Sequence, residues 1–125
     1  MTNIEKRLPP RHLESKLQQA CVSWFRYQHP KLRENLFAIP NGGYRSNFEA
    51  SIMTGEGVTP GIPDLMLAVV TTKYPGLFIE MKFGKNKPND NQKRVMENFE
   101  KQGYKCVVCW TLKEFVDEVT AYLAS

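Results

Sequence analysis

The 125-residue sequence is poor in the residues that staple chains or ligate soft metals: three cysteines (Cys21, Cys106 and Cys109) and two histidines (His12 and His29). Three thiols cannot all pair, so a secreted disulfide framework is not expected, and the expected setting is a reduced, intracellular and cytoplasmic one. Cys106 and Cys109 are three apart in an apolar stretch that reads as a strand, which turns them to opposite faces. With no second cysteine pair, a zinc site has no ligands. Neither histidine lies near a candidate nucleophilic serine, so a hydrolytic triad has no support. The sequence lacks a Gly-x4-Gly-Lys-Ser/Thr phosphate loop and a dinucleotide-binding glycine fingerprint. No apolar run approaches the roughly 18 residues that span a bilayer, and the first residues, MTNIEKRLPP, lack the apolar core of a signal peptide. Repeats and low-complexity tracts are missing too. What remains is an ordinary globular composition, 42% apolar and 24% charged. The length suits one domain over residues 1–125, with residues 1–10 as a loosely ordered lead.

Charge is unevenly placed. The chain carries 17 Lys+Arg against 13 Asp+Glu, a net +4. Between Lys82 and Lys105 lie seven basic residues (Lys82, Lys85, Lys87, Lys93, Arg94, Lys101 and Lys105) and three acids (Asp90, Glu97 and Glu100). That segment therefore holds the whole net charge, and the rest cancels. Such a local field attracts polyanions, although a basic helix alone would be read as a solvated face.

Hydrophobic spacing sets out the elements. After Pro9-Pro10, the residues Leu13, Leu17, Ala20, Cys21, Trp24 and Gln28 recur at helical steps and are expected to form one buried stripe, and His29-Pro30 ends the helix. Leu36–Ile39 reads as a short strand closed by Pro40-Asn41-Gly42-Gly43, and Arg45–Thr54 as a weaker helix. Pro60-Gly61-Ile62-Pro63-Asp64 leads into a continuous apolar strand, Leu65–Val70, expected in mid-sheet. A hairpin loop over Thr71–Gly76 returns the chain as Leu77–Lys82. A helix from Pro88-Asn89-Asp90 to Gly103, a strand Tyr104–Trp110 and a last helix opened by the capping box Thr111–Glu114, with Leu112, Phe115, Val116, Val119 and Leu123 as its apolar stripe, complete the chain. The expected fold class is α/β: a mixed sheet of about four strands flanked by helices, in the order α-β-(α)-β-β-α-β-α. The third helix is a crossover, which makes the last two strands parallel.

Glu80 does not belong in such a strand. It sits in Leu77-Phe78-Ile79-Glu80-Met81-Lys82, where alternation puts Phe78, Glu80 and Lys82 on one face. A half-buried acid is costly unless paired or bound to a metal. The hairpin returns Asp64 to the same end of the sheet. Setting Val70 beside Leu77 places Asp64 opposite Phe83, one step past Lys82. Two carboxylates and an amine at one end of a sheet suit a hard divalent cation, Mg²⁺ or Mn²⁺, and phosphodiester chemistry. The peptide carbonyl of Met81 is a further candidate ligand. The plainer reading is a Glu80–Lys82 ion pair with Asp64 as a turn residue.

These residues form the Pro-Asp…(Asp/Glu)-x-Lys pattern. From about Leu13 to Leu123 the chain resembles a restriction-endonuclease-like domain, and specifically a small stand-alone VRR-NUC (virus-type replication–repair nuclease) domain. The resemblance rests on Glu14 and Gln18, Ile39-Pro40-Asn41-Gly42-Gly43, Gly61-Ile62-Pro63-Asp64, Glu80-Met81-Lys82 and Gln92. It implies that Asp64, Glu80 and the Met81 carbonyl hold the metal and that Lys82 serves the attacking water. Glu14 would join directly or through a water. Gln92 would support the site or the phosphate, although Asn89 three residues before it also suggests a helix cap. DNA would run along Lys85, Lys87, Lys93 and Arg94, with Tyr44 and Arg45 adding a phosphate contact or a stack. Relatives of this kind imply a metal-dependent, structure-specific DNA endonuclease of phage or bacterial origin, in some cases a homodimer resolving four-way (Holliday) junctions, and in larger repair proteins a flap nuclease. The alternatives are a non-catalytic DNA-binding module of the same fold and a restriction-type nuclease.

Overall fold

The computed structural model describes residues 9–40 and 46–125. The expected loose lead up to residue 8, and Asn41 to Arg45 with the candidates Tyr44 and Arg45, lie outside the described residues. The elements follow the expected order, with a mixed sheet carrying helices on both faces. They are helix α1 (Pro10–Gln28), a 3₁₀ turn (Pro30–Asn35), strand β1 (Leu36–Ala38), helix α2 (Asn47–Gly55), strand β2 (Leu65–Leu67), strand β3 (Leu77–Met81), helix α3 (Asp90–Lys101), strand β4 (Lys105–Cys109) and helix α4 (Leu112–Leu123).

The sheet order is β1-β2-β3-β4. β1–β2 and β2–β3 are antiparallel, whereas β3–β4 is parallel and reached through α3, as a crossover helix requires. Odd-numbered residues of β2 and β3 turn to one face. There Leu65, Leu67, Leu77, Ile79 and Met81 pack with Cys21 and Phe25 of α1 and with Phe115, Val119 and Tyr122 of α4. The other face is covered by α3, where the Phe78 ring lies 4.6 Å from Phe99 and 5.3 Å from Tyr104.

Three expectations need correction. The strand foreseen over Leu65–Val70 stops at Leu67, and Val70 is 78% exposed. Just past it Ala68 is held by Asn35, whose carbonyl accepts from the Ala68 N–H (2.7 Å) and whose Nδ2 donates to the Ala68 carbonyl (2.8 Å). A turn then forms in which the Thr71 N–H donates to the Tyr74 carbonyl (2.8 Å). In α1 the buried line is Cys21 and Phe25, one helical turn apart, while Ala20 and Gln28 face solvent. In α4 Leu112 is 39% exposed, whereas Tyr122, outside the expected stripe, is buried, its hydroxyl donating to the Val69 carbonyl (2.6 Å).

The hairpin register also differs from the expected one. Leu65 pairs with Ile79 and Leu67 with Leu77, so the next step sets Asp64 across from Glu80 and not from Phe83. The slip is three residues, an odd number. The expected register would have turned Asp64 away from Glu80, and the observed one turns it to the same face.

Candidate active site

A single cross-strand row organises the site. Ile39 follows β1, Asp64 precedes β2, Glu80 is in β3 and Val108 in β4. The Ile39 N–H donates to the Asp64 carbonyl (2.8 Å), and Glu80 pairs with Val108. Row neighbours share a face at about 4.5–5.5 Å between Cβ atoms, so the two acids of the sequence pattern stand side by side.

The dipeptide before β2 has a physical logic. The same register sets Pro63 across from Met81, and proline has no N–H to offer the Met81 carbonyl. The Met81 N–H donates instead to Asp64 Oδ2 (2.8 Å), which fixes that carboxylate against the strand. Gly61, at φ +89°, lets the incoming loop touch the start of α3. A β-carbon there would come within 2.6 Å of Asn91 Nδ2 and 3.1 Å of Val95 Cγ2. Asn91 Oδ1 in turn accepts from Arg94 Nη2 (2.8 Å), which draws one candidate DNA contact towards the Asp64 loop.

Glu80 is 1% exposed, and its Oε2 has no hydrogen-bond partner. Burial pushes its pKa up to about 9. A hydrogen bond with Asp64, which requires one carboxyl to keep its proton, and the Asp64 charge add to the rise, while Lys82 opposes it. Glu14, on the first turns of α1, is also raised. Burial is the main cause and the Asp64 charge adds to it, against the lowering effect of Lys82. Glu14, Asp64, Glu80 and Lys82 therefore share one electrostatic environment, although they come from α1, the loop before β2, and β3. The Lys82 N–H donates to the Cys109 carbonyl (3.0 Å), which holds the lysine's backbone at the end of β4.

The outer candidates divide. Gln92 closes a reciprocal capping box with Asn89: Gln92 Oε1 accepts from the Asn89 N–H (2.9 Å), and Asn89 Oδ1 accepts from the Gln92 N–H (2.8 Å). Its oxygen is thus used in the cap, and its Nε2 has no hydrogen-bond partner among the described residues. Lys85, Lys87, Lys93 and Arg94 are exposed along the β3–α3 loop and the start of α3. Trp110, which carries no local signal of a role here, ties that loop down. Its indole N–H donates to the Asn86 carbonyl (2.7 Å).

The donor set suits a hard cation. Two adjacent carboxylates, one of them buried with an orphaned oxygen, are destabilised by each other and relieved by positive charge. Among the described residues no three His, Cys, Asp or Glu side chains are gathered to hold one ion. Asp64, Glu80 and the backbone carbonyl of Met81 are the groups whose chemistry fits such an ion, and Glu14 shares their electrostatic environment.

The model of the VRR-NUC domain matches residues 2–111. The chain belongs to the VRR-NUC family. A solved structure named "VRR_NUC domain protein" is similar at a TM-score of 0.77 and 27% identity, covering 89% of this chain and 88% of the other. A search of curated protein sequences found no match. This VRR-NUC chain thus has a nuclease-type fold and the DNA-binding character of its family, and among the described residues no helix is long and apolar enough to cross a membrane. α4 lies beyond the matched residues but belongs to the core through Phe115, Val119 and Tyr122.

Proposed function

We propose that this VRR-NUC protein is a divalent-metal-dependent endonuclease that hydrolyses phosphodiester bonds in branched DNA. One observation carries the reading: Asp64 and the buried Glu80, whose Oε2 has no hydrogen-bond partner, stand in one cross-strand row, with Lys82 two residues along the same face. Asp64, Glu80 and the Met81 carbonyl would hold Mg²⁺ or Mn²⁺, which would neutralise charge on the scissile phosphate and supply an acidic water. Lys82 orients or deprotonates the attacking water and offsets the charge that builds on phosphorus. Asp64 cannot swing away, because the Met81 N–H holds one of its oxygens. The amide Nε2 of Gln92, at the N-terminus of α3, would donate to a phosphate oxygen while its carbonyl keeps the cap. Lys85, Lys87, Lys93 and Arg94 give the backbone a positive track that starts at Lys82.

Two finer readings belong to the same proposal. α2 buries none of its residues and exposes Phe48 (75%) and Ile52 (46%) one turn apart, which gives a second copy an apolar face to pack on. A two-fold pair of such sites would suit a four-way junction, and hence homodimeric Holliday-junction resolution. The test is supercoiled plasmid incubated with Mg²⁺ or with EDTA. Nicking in Mg²⁺ alone is the expected result. Metal-indifferent retention of uncut plasmid would make the protein a DNA-binding module instead.

A further inference from the structure

An apolar groove opens beside the catalytic row. It has a volume of about 330 Å³, and Ile39, Pro40, Met53, Val58, Ile62 and the acid Glu56 are among the residues that line it. The size is at the small end of ligand pockets, which run from roughly 300 Å³ upward, and suits one planar ring system. Its position is what gives it meaning. Ile39 is the row neighbour of Asp64, one strand spacing (about 4.8 Å) away, and Ile62 precedes Asp64 by two residues, at most about 6.8 Å of chain. A base lies a few ångströms from the phosphate that carries it. A phosphate at Asp64 and Glu80 therefore brings its own nucleotide's base to the mouth of this groove.

The geometry points to a docking site for a single unpaired nucleobase next to the scissile phosphate. This inference rests on the nuclease reading and deepens it by naming what selects the substrate. The occupant is a base and not a phosphate: among the described residues no cation lines the groove, and Glu56 in its lining repels an anion. A second copy of the chain has its own apolar surface in Phe48 and Ile52, which lie on a different side of α2 from Met53, since Ile52 and Met53 are separated by about 100° of helical turn. A base paired and stacked in a duplex cannot enter without a cost of a few kcal/mol, whereas a base at a branch point, or one already unstacked, enters cheaply. The groove thus converts apolar contact into a preference for branched or distorted DNA without reading sequence, because each base presents an apolar face.

The test uses synthetic three-way and four-way DNA junctions with the fluorescent base 2-aminopurine placed in turn at each nucleotide around the branch, bound to the full-length protein with Ca²⁺ in place of Mg²⁺. The expected result is a several-fold rise in fluorescence at one position, the nucleotide flanking the bond cut in Mg²⁺. Val58→Trp, which fills the groove, and Met53→Ala, which removes part of its wall, should abolish that rise. Both should also lower the preference for branched over linear DNA by about five- to tenfold while keeping the salt dependence of binding that the lysines set. No brightening at any position with bound wild-type protein overturns the inference, even if DNA is cut. So does brightening that survives in both variants. A change from dimer to monomer on sizing Val58→Trp would make the groove an interface between copies and would also overturn it. Failure to nick plasmid in Mg²⁺ defeats the nuclease reading separately, since the fluorescence scan needs no cleavage.

Discussion

Replacing Glu80 by glutamine in the metal-free protein should reveal the cost of the buried acid. In the folded chain Glu80 keeps its proton up to about pH 9, whereas an unfolded glutamate releases it near 4.5. Between those values the folded state binds the extra proton, so stability is full below pH 4.5 and falls as pH rises. One proton is worth up to about 1.4 kcal/mol per pH unit, hence up to about 2.7 kcal/mol from pH 6 to pH 8. For a domain of this size that is a fall in Tm on the order of 10 °C. Glu80→Gln cannot ionise, and its amide can donate to Asp64 as the shared proton did. The variant should therefore be more stable than wild type at pH 8, nearly equal to it at pH 5, and free of this slope. Mg²⁺ should reverse the order: ligand at a hundredfold its Kd adds about 2.7 kcal/mol to wild type and nothing comparable to the variant. Differential scanning calorimetry of both proteins across pH, with EDTA and with Mg²⁺, reads all of this. A wild-type minus variant difference that stays flat from pH 5 to pH 8 would refute the reasoning.

Lys82→Ala should keep the metal-dependent rise in Tm and lose turnover, measured as the single-turnover cleavage rate; cleavage at the wild-type rate would remove Lys82 from the site. Gly61→Ala forces an L-residue to φ +89° and drives its β-carbon into Asn91, so it should cost about 1–3 kcal/mol in urea unfolding and slow cleavage by displacing the Asp64 loop. Neutralising Lys85, Lys87 and Lys93 together should reduce the slope of log affinity against log salt by roughly 0.9 per lost phosphate contact on duplex DNA, read by fluorescence anisotropy.

Much of this was legible in the residues, because each element carried its own punctuation. His29-Pro30, Asn89 with Gln92, Thr111 with Glu114 and the glycine after α3 mark helix ends that the structure keeps. The parallel last strand followed from the crossover helix. Glu80 stood out because an acid inside Leu-Phe-Ile-x-Met has no folding role. The hairpin register was not legible, since Leu65 to Val70 is apolar throughout and period-two alternation gives no phase. Contacts from outside the hairpin accompany the observed phase, such as Asn35, thirty-three residues upstream, whose carbonyl and amide hold Ala68. For the same reason, the contacts that frame the site from a distance (Gly61 on Asn91, Trp110 on Asn86) leave no local trace, because each joins segments remote in the chain.

Isothermal titration calorimetry of Mn²⁺ into the protein at pH 7.5, in buffers of different ionisation enthalpy, tests the heart of the account. Binding should be abolished or greatly weakened by Asp64→Asn and by Glu80→Gln, and should release close to one proton per ion bound, the proton that Glu80 must give up to become a ligand. Binding that persists undiminished in both variants, or proceeds without proton release, would place the cation elsewhere and contradict it.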